Sequence, residues 1–248
     1  MRNRGVSEVV GFVLVFSLVI ATISFVYVGG FASLTDSRDS ERAANAERAM
    51  DVLAGNFQQL GRGNAPSRAT EIRIADASIR TSSNRHVSTN ATPLASSQTA
   101  NPVSIEYSTG SSGTIAYESG AVIRTDGGGG SVMLRDPDFV FDENRTVIRY
   151  LEPRGARQSI SGTTTVLVRG IVRDSSVQAS ASDPDGMTVE FAIETVPERT
   201  DVWVAYLERE MPDPSCDVDE GTSVDQITCQ FETESLHVSR TRVSVTII

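Results

Sequence analysis

An α+β fold is predicted for this chain: a long N-terminal helix, membrane-spanning and then amphipathic, followed by an antiparallel β-sandwich-like ectodomain with one short helix. Three observations predict it. No charged side chain occurs over residues 9–35. Apolar residues then recur at the helical period as far as Leu60. From Thr70 onward the period becomes two, in short runs separated by Gly, Asp, Ser and Pro.

The apolar run is long enough for a bilayer, since a helix needs about 20 apolar residues to cross a ~30 Å hydrocarbon core. A helix also satisfies its backbone internally, as lipid demands. Arg2 and Arg4 flank it on one side, and Asp36, Asp39 and Glu41 on the other. Basic flanks stay inside, so the N-terminus is expected in the cytoplasm and the C-terminal domain outside the cell. A cleaved secretory signal, with its cut at 30–32, is the competing reading. It requires an apolar core of only about 7–15 residues, shorter than this one. No polar face interrupts the run as it would in a buried core helix.

After the membrane segment, residues 36–60 read as continued helix. Ala43, Ala46, Met50, Leu53, Ala54, Phe57 and Leu60 form one stripe, opposite Glu41, Arg42, Arg48, Asp51 and Gln58. Gly29 and Gly30 interrupt the sequence and predict a kink. Gly61 and Gly63 predict the helix end, and Pro66 prevents continuation. Four segments follow: a basic leader (1–5), a transmembrane helix (6–34), an amphipathic helix (35–63) and a β-rich ectodomain (64–248). If both helical segments form, residues 6–60 span roughly 80 Å.

Within 64–248 the alternating runs are 71–75, 77–80, 104–108, 113–117, 121–124, 131–134, 146–150, 164–168, 187–193 and 243–247. They predict antiparallel strands in a sandwich or strongly bent sheet, with the helix stripe packed on one face. Two segments break the pattern. The Ser-, Thr-, Asn- and Ala-rich residues 82–102 predict an exposed excursion. Residues 200–210 predict a short helix, capped by Thr200, that docks through Trp203, Tyr206, Leu207 and Met211.

Charge and composition narrow the function. The formal net charge is -10. Arg2 and Arg4 against Glu8 give the first thirty residues +1, so the rest carries -11. Such acidity opposes nucleic-acid binding, which needs clustered basic residues. All 22 basic residues are arginine and none is lysine. Acid excess without lysine is the pattern of a high-salt proteome, in which a hydrated carboxylate surface keeps proteins soluble. It points to an extremely halophilic archaeon.

Candidate chemistry is sparse. Cys216 and Cys229 are the only cysteines, and outside a cell such a pair reads as a disulfide worth roughly 2–3 kcal/mol. Free thiols are the alternative, and His237 alone is a poor additional metal ligand. The acidic residues 213–225 lack the ligand spacing of an EF-hand and read as solvated surface. His86 and His237 are the only histidines, and no G-x-S-x-G occurs, so no catalytic constellation is expected. No metal or cofactor site is expected either. Gly127 to Gly130 precede no helix and read as a turn rather than a phosphate cradle. Asn90 and Asn144 head two sequons and are candidate N-glycan acceptors.

The N-terminal motif carries a resemblance. Arg4-Gly5 followed by Val6-Ser7-Glu8-Val9-Val10-Gly11 resembles the processing site of archaeal type IV pilin-like proteins. More broadly, residues 5–66 resemble haloarchaeal pilin-like, membrane-anchored surface proteins of largely undefined role. The likeness runs through VSEVVGFVLVFSLVIATISFVYVGGF, NAERAMDVLAGNF and GNAPSRATEI. It implies cleavage between Gly5 and Val6 with retention of the helix. The commonest haloarchaeal form carries proline where Glu8 stands. Glu8 instead matches the acidic residue that neutralises a neighbouring subunit's new amine, or it sits in the headgroup region. Ser17, Ala21 and Ser24 line one helix face, with Val10, Leu14 and Val28, as a candidate assembly stripe. The implied function is a cell-surface structural protein, anchored or assembled into a filament with copies of itself or other pilin-like subunits. A monomeric single-pass ectodomain with a ligand-binding or envelope role is the alternative.

Overall fold

The computed structural model describes every residue except 1–3, 93, 95, 96, 111 and 112, and only the backbone at 4–8, 28, 30–36, 39 and 84. The chain divides into two compact units, Met1–Asn45 and Ala46–Ile248. Helix α1 (Arg4–Gly61) is one continuous element that contributes to both. The helix continues through Gly29 and Gly30, where the sequence predicts a kink. In the first unit, Val9–Tyr27 is long and apolar enough to cross a membrane, and none of it is buried by the rest of the protein.

In the second unit α1 ends as its sequence demands. Gly63 takes φ +74°, which costs a glycine little, and Gly63 N–H and Asn64 N–H donate to Leu60 O and Gln59 O. This is the paired arrangement that satisfies the last free carbonyls of a helix. Ala46, Met50, Leu53, Ala54, Phe57 and Leu60 are all buried, in agreement with the stripe. The polar flank is tied down by Glu47–Arg124 (2.7 Å), Asp51–Arg135 (2.6 Å) and a bidentate Arg62–Asp138 pair. Each such partly exposed pair contributes at most about 1 kcal/mol.

Among the described residues, twelve strands form a single hydrogen-bonded sheet. They are β1 (Ser67–Asn84), β2 (Val87–Ala91), β3 (Gln98–Ala100), β4 (Val103–Ser108), β5 (Gly113–Glu118) and β6 (Ala121–Asp126), then β7 (Ser131–Arg135), β8 (Phe139–Val140), β9 (Thr146–Arg154), β10 (Ser159–Thr195), β11 (Ser215–Asp219) and β12 (Asp225–Ile247). The order is β7-β6-β5-β4-β1-β10-β12-β9-β8, with β11 beside β12, and β2 joining β10 to β3. Every pairing is antiparallel except β9 with β12. The 37-residue β10 is irregular near Val172, Val177 and Ser182 and changes partner along its length, from β1 to β2. Bulges bend a strand and raise its twist, so one strand can serve two cores.

Two cores result. The stripe of α1 packs on β1, β4, β5, β10 and β12 through Ile72, Ile105, Tyr107, Tyr117, Val168 and Val243. Phe57 meets Tyr117 edge-on at 5.2 Å. At Gly170 of β10 the helix comes so close that an added Cβ would lie 2.9 Å from Leu60 and 3.1 Å from Phe57. Helix α2 (Thr200–Glu210) covers the second core, where Trp203, Tyr206 and Leu207 meet Ile123, Tyr150, Phe191, Ile227 and Phe231. Neighbouring residues of β6 divide between the two, Val122 in the first and Ala121 and Ile123 in the second.

Two expectations need correction. Residues 82–102 are not an exposed excursion: they contain the end of β1 and all of β2 and β3, with Val87, Thr89, Ala91 and Ala100 buried. Small residues there still alternate inward and outward, and β10 supplies their partner. Thr200 begins α2 but does not cap it. Its hydroxyl donates to Asp225 at 2.7 Å, and the position before the helix belongs to Arg199, whose side chain makes no cap hydrogen bond.

Candidate functional site

The largest exposed apolar surface is the segment Val9–Tyr27. Its 19 residues rise about 28 Å at 1.5 Å each, close to the hydrocarbon thickness. Phe12, Leu14, Phe16, Leu18, Phe25 and Tyr27 all stand in the open. Exposed apolar surface on this scale marks a lipid or protein partner. The hydroxyl of Thr22 donates to Val19 O at 2.9 Å, so this polar group is satisfied within the helix. Ser17, Ala21 and Ser24 are exposed and share a face with Val10 and Leu14. The helix begins at Arg4, so the Gly5–Val6 junction falls in its first turn. The side chains of Gly5, Val6, Glu8 and Val28 lie outside the described residues, as does the structure of the leader's first three residues.

In the sheet-rich unit the chemistry is ionic. Strands β4 and β5 are covered on both faces, so residues that would normally meet water are buried. Glu106 and Glu118 are two of them. The Arg199 guanidinium donates from Nη1 to Glu118 (2.8 Å) and from Nη2 to Glu106 (3.1 Å). Glu118 also accepts from Thr195 Oγ1 (2.6 Å) and from Trp203 Nε1 (2.9 Å). Glu106 accepts from Arg80 Nε (2.9 Å). Burial pushes the Glu106 carboxyl up, but Arg199 and Arg80 outweigh it and hold it below the usual carboxylate range. Burial likewise pulls Arg199 down, and the two carboxylates reverse that and raise it.

A second buried acid, Glu152 of β9, accepts from Arg154 (2.7 Å), Arg242 (3.2 Å) and the Asn101 N–H (2.8 Å). Its burial is outweighed by these partners, so it too sits below the usual range. Sequence reading missed both clusters. The only available signal was the pairing of Glu106 and Glu118 with apolar neighbours, which resembles ordinary alternation until α2 covers that face.

The remaining sequence candidates are dispersed. Cys216 and Cys229 form a disulfide between directly opposed residues of β11 and β12, with Cα atoms 4.1 Å apart. Asn90 is exposed on β2, and Asn144 is exposed in the turn before β9, where it donates to Asp142. The sequon hydroxyl of Thr146 is buried and donates to Asp142 O. His86 contacts Asn101 at 3.2 Å, far in sequence from His237 on β12. Among the described residues, no three His, Cys, Asp or Glu side chains are grouped to hold a metal ion.

No curated protein and no solved structure matches the chain. One family model does, over residues 4–246, and covers the apolar helix and nearly the whole sheet-rich unit. The chain therefore belongs to DUF7289, a family of unknown function.

Proposed function

We propose that this protein is a pilin-like structural protein of the cell surface. The N-terminal helix anchors it in the membrane and assembles it with copies of itself or with related subunits. One observation carries the reading: a 19-residue apolar helical stretch that the protein's own fold leaves uncovered. Lipid gives helices no hydrophobic reward for pairing, so association relies on small residues that let backbones approach. Ser17, Ala21 and Ser24 supply such a face. The basic residues at 2 and 4 favour an internal N-terminus. The disulfide suits an oxidising exterior for the sheet-rich unit.

The test has two parts. N-terminal sequencing of protein from native membranes is expected to begin at Val6. The double variant Ala21→Leu, Ser24→Leu is expected to insert normally but to lose crosslinked oligomers several-fold. An intact Met1 together with undiminished crosslinking would instead favour a monomeric single-pass anchor.

A further inference from the structure

We infer that the sheet-rich unit holds an anion-binding cleft for a small acidic saccharide, with its carboxylate or sulfate bound by Arg85 and Arg157. The cleft is open to solvent, has a volume of about 440 Å³, and is lined by Arg80, Arg85, Arg157, Ser83, Gln158 and Ser159, among others. It is independent of whether the N-terminal helix assembles.

Its walls are fixed by backbone geometry. The Arg80–Glu106 and Arg80–Ser159 registers place β1 between β4 and β10. The connection from β9 is pinned to β1 by Thr81 N–H to Gln158 O (3.0 Å) and by Gln158 N–H to Thr81 Oγ1 (2.9 Å). Arg85 is held by its own N–H to Pro102 O at 2.9 Å.

Charge then selects the ligand. Glu106 is the one carboxylate lining the cleft among the described residues, and it is already committed. One oxygen takes Arg199 and the other takes both donors of Arg80. Among the described residues of the lining, it therefore leaves Arg85 and Arg157 without a carboxylate of their own. Arg85 is only 8% exposed, yet among the described residues its side chain donates only to Ser83 Oγ (3.2 Å), and its Nε is buried without a partner there. A guanidinium largely withdrawn from water and without a counter-charge is costly, and an anion meeting its open Nη edge lowers that cost. Guanidinium groups match planar or tetrahedral oxyanions with parallel donors. The local excess of positive charge sits in a chain of net charge -10, so its sign is not a general property of the surface.

Size and lining define what carries the anion. The volume falls in the range of small-molecule sites rather than that of a single ion. Hydroxyl, amide and guanidinium groups dominate the walls, and among the described residues Val196 is the one large apolar side chain. The Gln158 amide oxygen accepts from Ile247 N–H, which leaves its NH2 as the donor end. Among the described residues, no aromatic ring lines the cleft to stack a base or a drug-like ring. A hydroxyl-rich, singly charged ligand such as a uronic acid fits.

The experiment is calorimetric titration of the full chain in detergent at constant ionic strength, with sodium glucuronate, sodium sulfate and uncharged glucose. Glucuronate should bind and glucose should not. Arg85→Gln should weaken glucuronate at least about tenfold, and Arg157→Gln, on the exposed rim, by several-fold. Arg68→Gln, which removes an equal charge outside the cleft, should leave binding unchanged. If Arg85→Gln does not fold, Arg157→Gln against Arg68→Gln carries the comparison. Binding of sulfate but not glucuronate would overturn the saccharide assignment in favour of a free oxyanion. Absence of both, or equal weakening in all three variants, would overturn the site.

Discussion

At the scale of single residues, the most consequential group is the carboxylate of Glu106, which neutralises guanidiniums from two different elements. Arg80 lies on the neighbouring strand, and Arg199 lies at the foot of α2, 93 residues away in sequence. Buried ion pairs rarely raise net stability above that of an apolar replacement, but removing one partner is severe because the other charge stays buried. Glu106→Gln should therefore lower stability at neutral pH by about 3–5 kcal/mol. The acid dependence has a definite sign. The folded-state pKa lies below the unfolded value, so the stabilisation is complete above the unfolded pKa of about 4 and is lost as pH falls toward the folded one. Thermal melts from neutral pH to pH 3 should show a smaller acid loss in the variant than in the wild type. Equal acid slopes would show that other carboxylates govern the transition. Trp203 illustrates what is legible at this scale. Its helical spacing indicates packing on the sheet, and it is fully buried. Its hydrogen bond to Glu118, 85 residues away, has no counterpart in local sequence.

At the scale of elements, the sequence is most readable where one face is apolar and the period is regular. The stripe from Ala46 to Leu60, helix α2 and the alternating strands β4 to β7 and β9 all lie where periodicity places them. Periodicity alone hides how far strands extend when alternation changes phase. The predicted runs 164–168 and 187–193 are both parts of β10, because the residues between them continue the strand through irregularities. In the same way 71–75 and 77–80 are one strand, β1, with Asp76 at φ 51° where the register shifts. Residues 82–102 were obscured by small polar side chains, whose burial depends on partners remote in sequence. Gly170 is a further feature invisible to pattern, since its glycine is required by the approach of α1 rather than by a turn. Gly170→Val should push Leu60 and Phe57 out of place and destabilise by about 1–3 kcal/mol, as overpacking does. Chemical denaturation would register this as a lower midpoint. An unchanged midpoint would show that α1 can move away from the sheet without loss.

At the scale of the whole molecule, the charge is unevenly distributed. The unit Met1–Asn45 is formally neutral, so Ala46–Ile248 carries the full -10. Much of this charge lies on exposed acids such as Glu71, Asp126, Asp185 and Glu232. Self-repulsion among them destabilises the compact state and is strongest when the screening length is long. That length falls from about 10 Å at 0.1 M salt to about 3 Å at 1 M. The melting temperature of the full chain in detergent should therefore rise with KCl and level off in the molar range. NaCl should give a similar curve, because screening depends on ionic strength more than on the identity of the cation. Buried pairs are screened far less than surface charges. Glu106→Gln should thus melt lower than wild type at every concentration while keeping a similar salt slope. A flat or falling wild-type curve would remove the high-salt reading of the composition. A slope that collapses in Glu106→Gln would instead trace the salt dependence to the buried cluster.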